Sequence, residues 1–470
     1  VDSAKSLSFT LWLVATGLFM QTLDTTIVNT ALPAMAATLG ESPLRMQSVV
    51  IAYALTMAVL IPASGWMADR FGTRKVYFSA IVLFTIGSIL CAVSQNLDQL
   101  VASRVIQGAG GAMLMPVGRL AILRTFPQER LLPALSFVAI PAMIGPMIGP
   151  VLGGWLAETL SWHWVFLINI PVGAIGAYAT HRYMPDKHDD QRQPFDGVGY
   201  GLLAFGMAAI SLALDGMSGR GMGHAPAVLL LVFGIIAVVS YWLRAARHPA
   251  PLFSPTLFRI HTFTIGLLGN LFARLGSSGM PFLLPLLLQV SLGYSPTHSG
   301  MMMLPVAAAG MLSKRLATAL ITHYGYRRVL VVNTVLVGLT IASFALIDAT
   351  HPVWAQALLM AFFGAVNSLQ FTAMNTLTLK DLGQHGASSG NSILSMMQML
   401  AMSLSVTVAG GILAAFSHLV DHDSASDTLA AFHGTFICIG LLTAASAWIF
   451  WQLSPDVERE SKKDDSLDLG

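Results

Sequence analysis

Gly65-Trp66-Met67-Ala68-Asp69-Arg70-Phe71-Gly72-Thr73-Arg74-Lys75 is the stretch whose reading decides the fold. It is a short polar gap between two long apolar segments, and it holds one acid, two glycines and three bases. A gap this short has to turn tightly at a membrane surface, and glycine permits the turn. The cations favour the cytoplasmic side of a bilayer, and Asp69 can pair with a base or sit near a helix N-terminus.

The composition on either side agrees. Of 470 residues, 55% are hydrophobic and only 10% charged, and the mean hydropathy is +0.68. A soluble chain would carry about 25% charged residues. The chain is therefore read as an all-α polytopic membrane protein. About 20 apolar residues cross a bilayer, and fourteen such spans are expected, at about 9–33, 46–67, 76–95, 99–122, 132–158, 163–184, 197–215, 226–244, 262–290, 297–320, 328–348, 353–378, 387–416 and 430–453. The first fits an uncleaved helix better than a signal peptide.

Basic residues set the expected orientation. Arg70, Arg74, Lys75, Arg124, Arg130, Arg182, Lys187, Arg192, Arg244, Arg247, Arg259, Lys314, Arg315, Arg327, Arg328 and Lys380 fall in or beside even-numbered gaps, and Lys5, Arg459, Lys462 and Lys463 in the tails. The odd-numbered gaps hold only Arg45 and Arg220. Both termini are thus expected in the cytoplasm. The net charge of +2 says little about partners. Cys91 and Cys438 lie in apolar runs and read as small buried hydrophobes. Neither they nor the histidines suggest a metal site, and no nucleic-acid partner is expected.

Phe71-Gly72-Thr73-Arg74-Lys75 recurs as Tyr324-Gly325-Tyr326-Arg327-Arg328, without the acid. Repeated halves typify secondary transporters, with the substrate site between them. The expected organisation is a six-helix bundle over 1–184, two inserted spans with linkers over 185–260, a second six-helix bundle over 261–453, and a tail over 454–470. No phosphate-binding loop is present, so active transport would draw on an ion gradient, with no cofactor.

Asp24 lies well inside the first span, where an ionised carboxylate is costly and usually faces a cavity or takes a proton. Burial raises a carboxyl pKa toward a range in which it can cycle. A permanent structural pair with an arginine is the bland alternative. Arg104 is the natural counterpart, sharing a helical face with Gln107, Gly108 and Gly111. Neutralising Asp24 is expected to abolish gradient-driven efflux with folding intact. In the fifth span Gly145, Gly149 and Gly153 form a small-residue stripe, with Pro150 and Gly154 in register. The pattern suggests a kinked helix that packs closely on a neighbour and can gate. Gln21, Asn29, Gln107, Arg274, Asn367, Gln370, Asn391, Ser395 and Gln398 are candidates to line a substrate cavity, with inter-helix hydrogen bonding as the alternative for each. Methionines such as Met301 to Met303 offer adaptable apolar surface.

Together these runs resemble the fourteen-helix drug:proton antiporter branch of the major facilitator superfamily. The resemblance rests on Leu23 to Pro33, Gly65 to Lys75, Arg104 to Gly111, Gly145 to Gly154 and Trp162 to Gly173. It implies two six-helix bundles plus two inserted helices, proton coupling through Asp24 and Arg104, and export by alternating access from a bacterial inner membrane. It also implies a monomer that handles small molecules and protons in lipid. Gly65, Asp69, Arg70, Gly72, Arg74 and Lys75 would latch the cytoplasmic helix ends. One departure matters: Asp24 is the only acid deep in a span, against two deep arginines. An organic anion or metal chelate such as iron-citrate is therefore an alternative cargo to lipophilic drugs. A non-transporting membrane sensor is a remote rival, and a membrane enzyme lacks any acid–base–nucleophile cluster.

Overall fold

The computed structural model describes residues 2–186, 194–217, 223–419 and 425–454. The linker cations Lys187, Arg192 and Arg220 and the tail bases Arg459, Lys462 and Lys463 lie outside these residues. The described residues are helical, with no strand. Fourteen spans are long and apolar enough to cross a membrane. They are α1 (Ser8–Leu39), α2 (Pro43–Phe71), α3 (Thr73–Ala92), α4 (Leu97–Thr125), α5 (Pro133–Thr159), α6 (Trp164–Tyr183) and α7 (Gly197–Met217). Then follow α8 (His224–Ala245), α9 (His261–Ser291), α10 (Pro296–Tyr324), α11 (Tyr326–Leu346), α12 (Val353–Lys380), α13 (Ser389–Leu419) and α14 (Thr428–Trp451). Each matches an expected span to within a few residues.

The chain forms two compact units, 1–252 with 288–301, and 253–287 with 302–470. The inserted helices α7 and α8 thus belong to the first unit. Gln47 on α2 donates to the Asp215 carboxylate at the end of α7 at 2.7 Å, and Arg244 on α8 reaches Asp196, just before α7, at 3.1 Å. The segment 288–301 joins the same unit. Gln289 Nε2 donates to the Thr30 carbonyl at 2.9 Å, and the Thr297 N–H donates to the Glu158 carboxylate at 2.9 Å.

The sequence echo is also a conformational one. Gly72 and Gly325 both take the left-handed region, at φ 93° and 81°. In each, the glycine N–H closes the preceding helix, on the Ala68 carbonyl at 3.0 Å and the Ile321 carbonyl at 2.9 Å. In each, the glycine carbonyl opens the next helix, accepting from Val76 and Val329 at 3.2 Å. Residues other than glycine are strained at such φ values, so this corner requires glycine in both units.

The α5 segment is continuous through Pro133, Pro141, Pro146 and Pro150. Its glycine stripe lies on α1. A Cβ at Gly145 would come 2.8 Å from the Leu23 nitrogen, one at Gly149 would collide with Thr26 Oγ1, and one at Gly153 with the Ile27 carbonyl. Thr30 Oγ1 donates to the Pro150 carbonyl at 3.0 Å. Gly154 instead abuts the Pro296 backbone. The stripe therefore seats α5 on the turns of α1 that carry Asp24.

Candidate functional site

Asp24 is fully buried in the first unit and is held by side chains of two other helices, α4 and α6. Its Oδ2 accepts from Arg104 Nη1 of α4 at 2.6 Å. Its Oδ1 accepts from Gln107 Nε2 at 2.8 Å and from Asn169 Nδ2 of α6 at 3.3 Å. Gln107 uses both ends of its amide: Oε1 accepts from Arg104 at 2.6 Å, and Nε2 also donates to Ser88 Oγ of α3 at 2.9 Å. Arg104 is 1% exposed. Its Nε donates to the Val49 carbonyl at 3.3 Å, and its guanidinium lies 4.1 Å from the centre of the Tyr53 ring on α2.

Small residues make this convergence possible. A Cβ on Gly87 would stand 2.6 Å from the Gln107 Cβ, and one on Gly111 would stand 2.7 Å from Tyr53 Oη. Helices α3, α4 and α2 therefore approach closely enough for short polar side chains to reach the carboxylate. The cluster holds one carboxyl group and one guanidinium, both shielded from solvent, and no other ion-pair partner among the described residues. Removing either charge alone leaves the other buried and unpaired. The expectation that Asp24 can be neutralised with folding intact is revised on this ground.

Gln107, read from sequence as a cavity residue, is packed inside this cluster. Ser88, Tyr53 and Val49 join the cluster without any expectation from the sequence, and Asn169 enters it from the Trp162 to Gly173 run. Asn169 carried a signal, as a polar residue just ahead of Pro171 in an apolar run. Ser88 and Tyr53 carried none, because only helix packing brings them to Asp24. Gln21 and Asn29 are buried on α1, and each has an amide oxygen without a hydrogen-bond partner among the described residues.

At the α2–α3 corner, Asp69 pairs with Arg124 at the end of α4, a partner that sequence reading did not assign. Arg74 lies 3.7 Å from Asp186, just after α6, and Arg70 sits 5.9 Å from the Trp66 ring centre. Nothing crowds the Cβ position of Gly65, and Lys75 is exposed. Two ion pairs, Asp69–Arg124 and Arg74–Asp186, thus tie this corner to the end of α4 and to the residues after α6.

In the second unit, Arg274 on α9 is buried, with its guanidinium 4.2 Å from the Phe371 ring centre. Its Nε has no hydrogen-bond partner, and no carboxylate pairs with it among the described residues. Gln398 on α13 donates to Asn375 Oδ1 of α12 at 2.9 Å. Asn367, Asn391 and Ser395 are half-buried. Gln370 faces α11 instead: Nε2 donates to Thr334 Oγ1 at 2.6 Å, and Oε1 accepts from Asn333 at 2.8 Å. The described residues contain no cluster of three or more histidine, cysteine or acidic side chains able to hold a metal.

The family model described as Major Facilitator Superfamily matches residues 14–406. The chain belongs to the Major Facilitator Superfamily. It is a multi-pass membrane transporter and not an enzyme. Among its relatives this superfamily member is 49% identical to "Putative multidrug resistance protein MdtD" of Pectobacterium atrosepticum, over 97% of this chain and 98% of that one. It is 50% identical to the protein of the same name from Serratia proteamaculans, over 97% and 95%. Solved structures with the same fold include a D-xylose-proton symporter, with TM-score 0.65, 13% identity and coverage of 96% and 98%. A bacterial homologue of the human drug peptide transporters PepT1 and PepT2 aligns with TM-score 0.63, 15% identity and coverage of 96% and 99%.

Proposed function

We propose that this superfamily member is a proton-coupled exporter of drugs or small amphipathic compounds, working by alternating access. In this reading it acts as a monomer in a bacterial inner membrane, with both termini cytoplasmic. The observation that carries the reading is the buried pair of Asp24 on α1 and Arg104 on α4, with α1 packed against the glycine stripe of α5. A proton that neutralises Asp24 releases Arg104 from its partner and removes the main electrostatic tie between α1 and α4. Protonation thereby alters the packing of the helix on which α5 rides, and proton movement becomes tied to conformation. The names of the MdtD relatives support a drug-like cargo. The pairs Asp69–Arg124 and Arg74–Asp186 act as the latch at the Gly72 corner.

A second cargo reading rests on Arg274, whose buried guanidinium has no carboxylate partner among the described residues and favours an anionic group such as citrate or a metal–citrate. The test is proton release from purified protein, followed with a pH dye as lipophilic drugs, citrate and metal–citrate are added in turn. Release with drugs supports the first cargo reading, and release with the anions alone supports the second. Release that persists in Asp24→Asn would remove Asp24 from the coupling role.

A further inference from the structure

The second copy of the corner motif has lost its acid, and the consequence is visible on the surface of the second unit. At the first corner Arg74 lies near Asp186 and Asp69 is paired. At the second, Arg327 and Arg328 have no carboxylate partner among the described residues. Arg327 lies 5.0 Å from the Trp451 ring centre at the end of α14. Both arginines edge a groove of about 760 Å³ that runs along α11. Its wall is aliphatic, with Leu320, Val332, Leu336 and Leu369 among the lining groups. The groove is open to the surroundings: Val332 is 59% and Trp451 56% exposed.

We propose that this groove binds one anionic phospholipid, with its phosphate on Arg327 and Arg328 and an acyl chain along Val332 and Leu336. The chain spans a bilayer, so an exposed aliphatic groove along a spanning helix meets acyl chains. Two cations with no carboxylate partner among the described residues, beside Trp451 and Tyr324, mark the interfacial end, where aromatic rings and basic side chains meet headgroups. A zwitterionic lipid supplies the same chains but cancels the charge that the arginines would hold. The chain's own tail, 455–470, is a rival occupant: it is acidic and starts near Trp451, but its few apolar side chains suit the aliphatic wall poorly.

The test titrates the full-length protein in neutral detergent with phosphatidylglycerol or phosphatidylcholine and reads bound lipid by native mass spectrometry. Wild-type protein is expected to prefer phosphatidylglycerol on the order of tenfold, from two interfacial arginines. R327Q/R328Q removes the preference, and V332W, which fills the groove while keeping the charges, lowers occupancy by both lipids. An unchanged preference in R327Q/R328Q overturns the proposal. So does displacement of the lipid by inorganic phosphate, which would leave a bare anion site. Binding that appears only after neutralising the tail, in E458Q/E460Q/D464N/D465N, would make the tail the resident and overturn it equally. None of these readouts depends on transport.

Discussion

Replacing Asp24 by Asn while Arg104 remains is expected to destabilise the protein, and the cost follows from the geometry. The two carboxylate oxygens accept from Arg104, Gln107 and Asn169. An asparagine has one acceptor oxygen, so its amide nitrogen must face a donor in either orientation. Gln107 cannot flip to compensate, because its oxygen already serves Arg104. Breaking a buried ion pair from one side costs about 3–5 kcal/mol. Arg104 keeps the Val49 carbonyl, the Gln107 oxygen and the Tyr53 ring, which places the expected loss near the lower end, about 3 kcal/mol. Asp24→Asn/Arg104→Gln removes both charges, and most of that stability should return. Coupling should not return, since no group is left to exchange a proton. Thermal unfolding in detergent measures the first effect, and pH-gradient-driven efflux from proteoliposomes the second. Unaltered stability in the single variant would refute the buried-pair argument. Gradient-driven efflux by the double variant would refute the proton role.

Further expectations concern the seams and corners. Gly149→Val should lower the yield of folded protein, because the branched side chain enters Thr26 on α1; overpacking of this kind costs about 1–3 kcal/mol, and size-exclusion profiles would report it. Gly72→Ala should cost about 1 kcal/mol or more at φ 93°, read as a fall in unfolding temperature. Asp69→Asn removes the Asp69–Arg124 ion pair and should slow turnover in proteoliposomes while substrate binding is retained; unchanged turnover would dismiss the latch. Burial raises the Asp196 pKa, but the Gly199 N–H and Arg244 outweigh it and hold the carboxyl below its usual range. A depressed carboxyl stabilises the folded state above the ordinary Asp value and ceases to as pH falls through the lowered one. Acid should therefore weaken the α7–α8 pair in wild-type protein, and Asp196→Asn should flatten that dependence in a pH series of unfolding temperatures.

The sequence by itself determined the spans, the repeat and the deep charges. A bilayer imposes one length and one polarity on every crossing helix, so apolar runs mark all fourteen spans within a few residues. The Gly72 and Gly325 corners were legible because only glycine suits their backbone. Asp24 and Arg104 were legible because a charge inside an apolar run is costly without a purpose. Tertiary structure decided the rest. Ser88, Asn169 and Tyr53 are ordinary residues in their own helices, and close packing past Gly87 and Gly111 gathers them around the carboxylate. Arg124 is one basic residue among many until folding sets it beside Asp69. Gln370 looked the same as Asn367 along α12, yet α11 takes up both ends of its amide. A side chain's partners depend on which face of which neighbour it meets, and periodicity along a single helix carries no record of that choice.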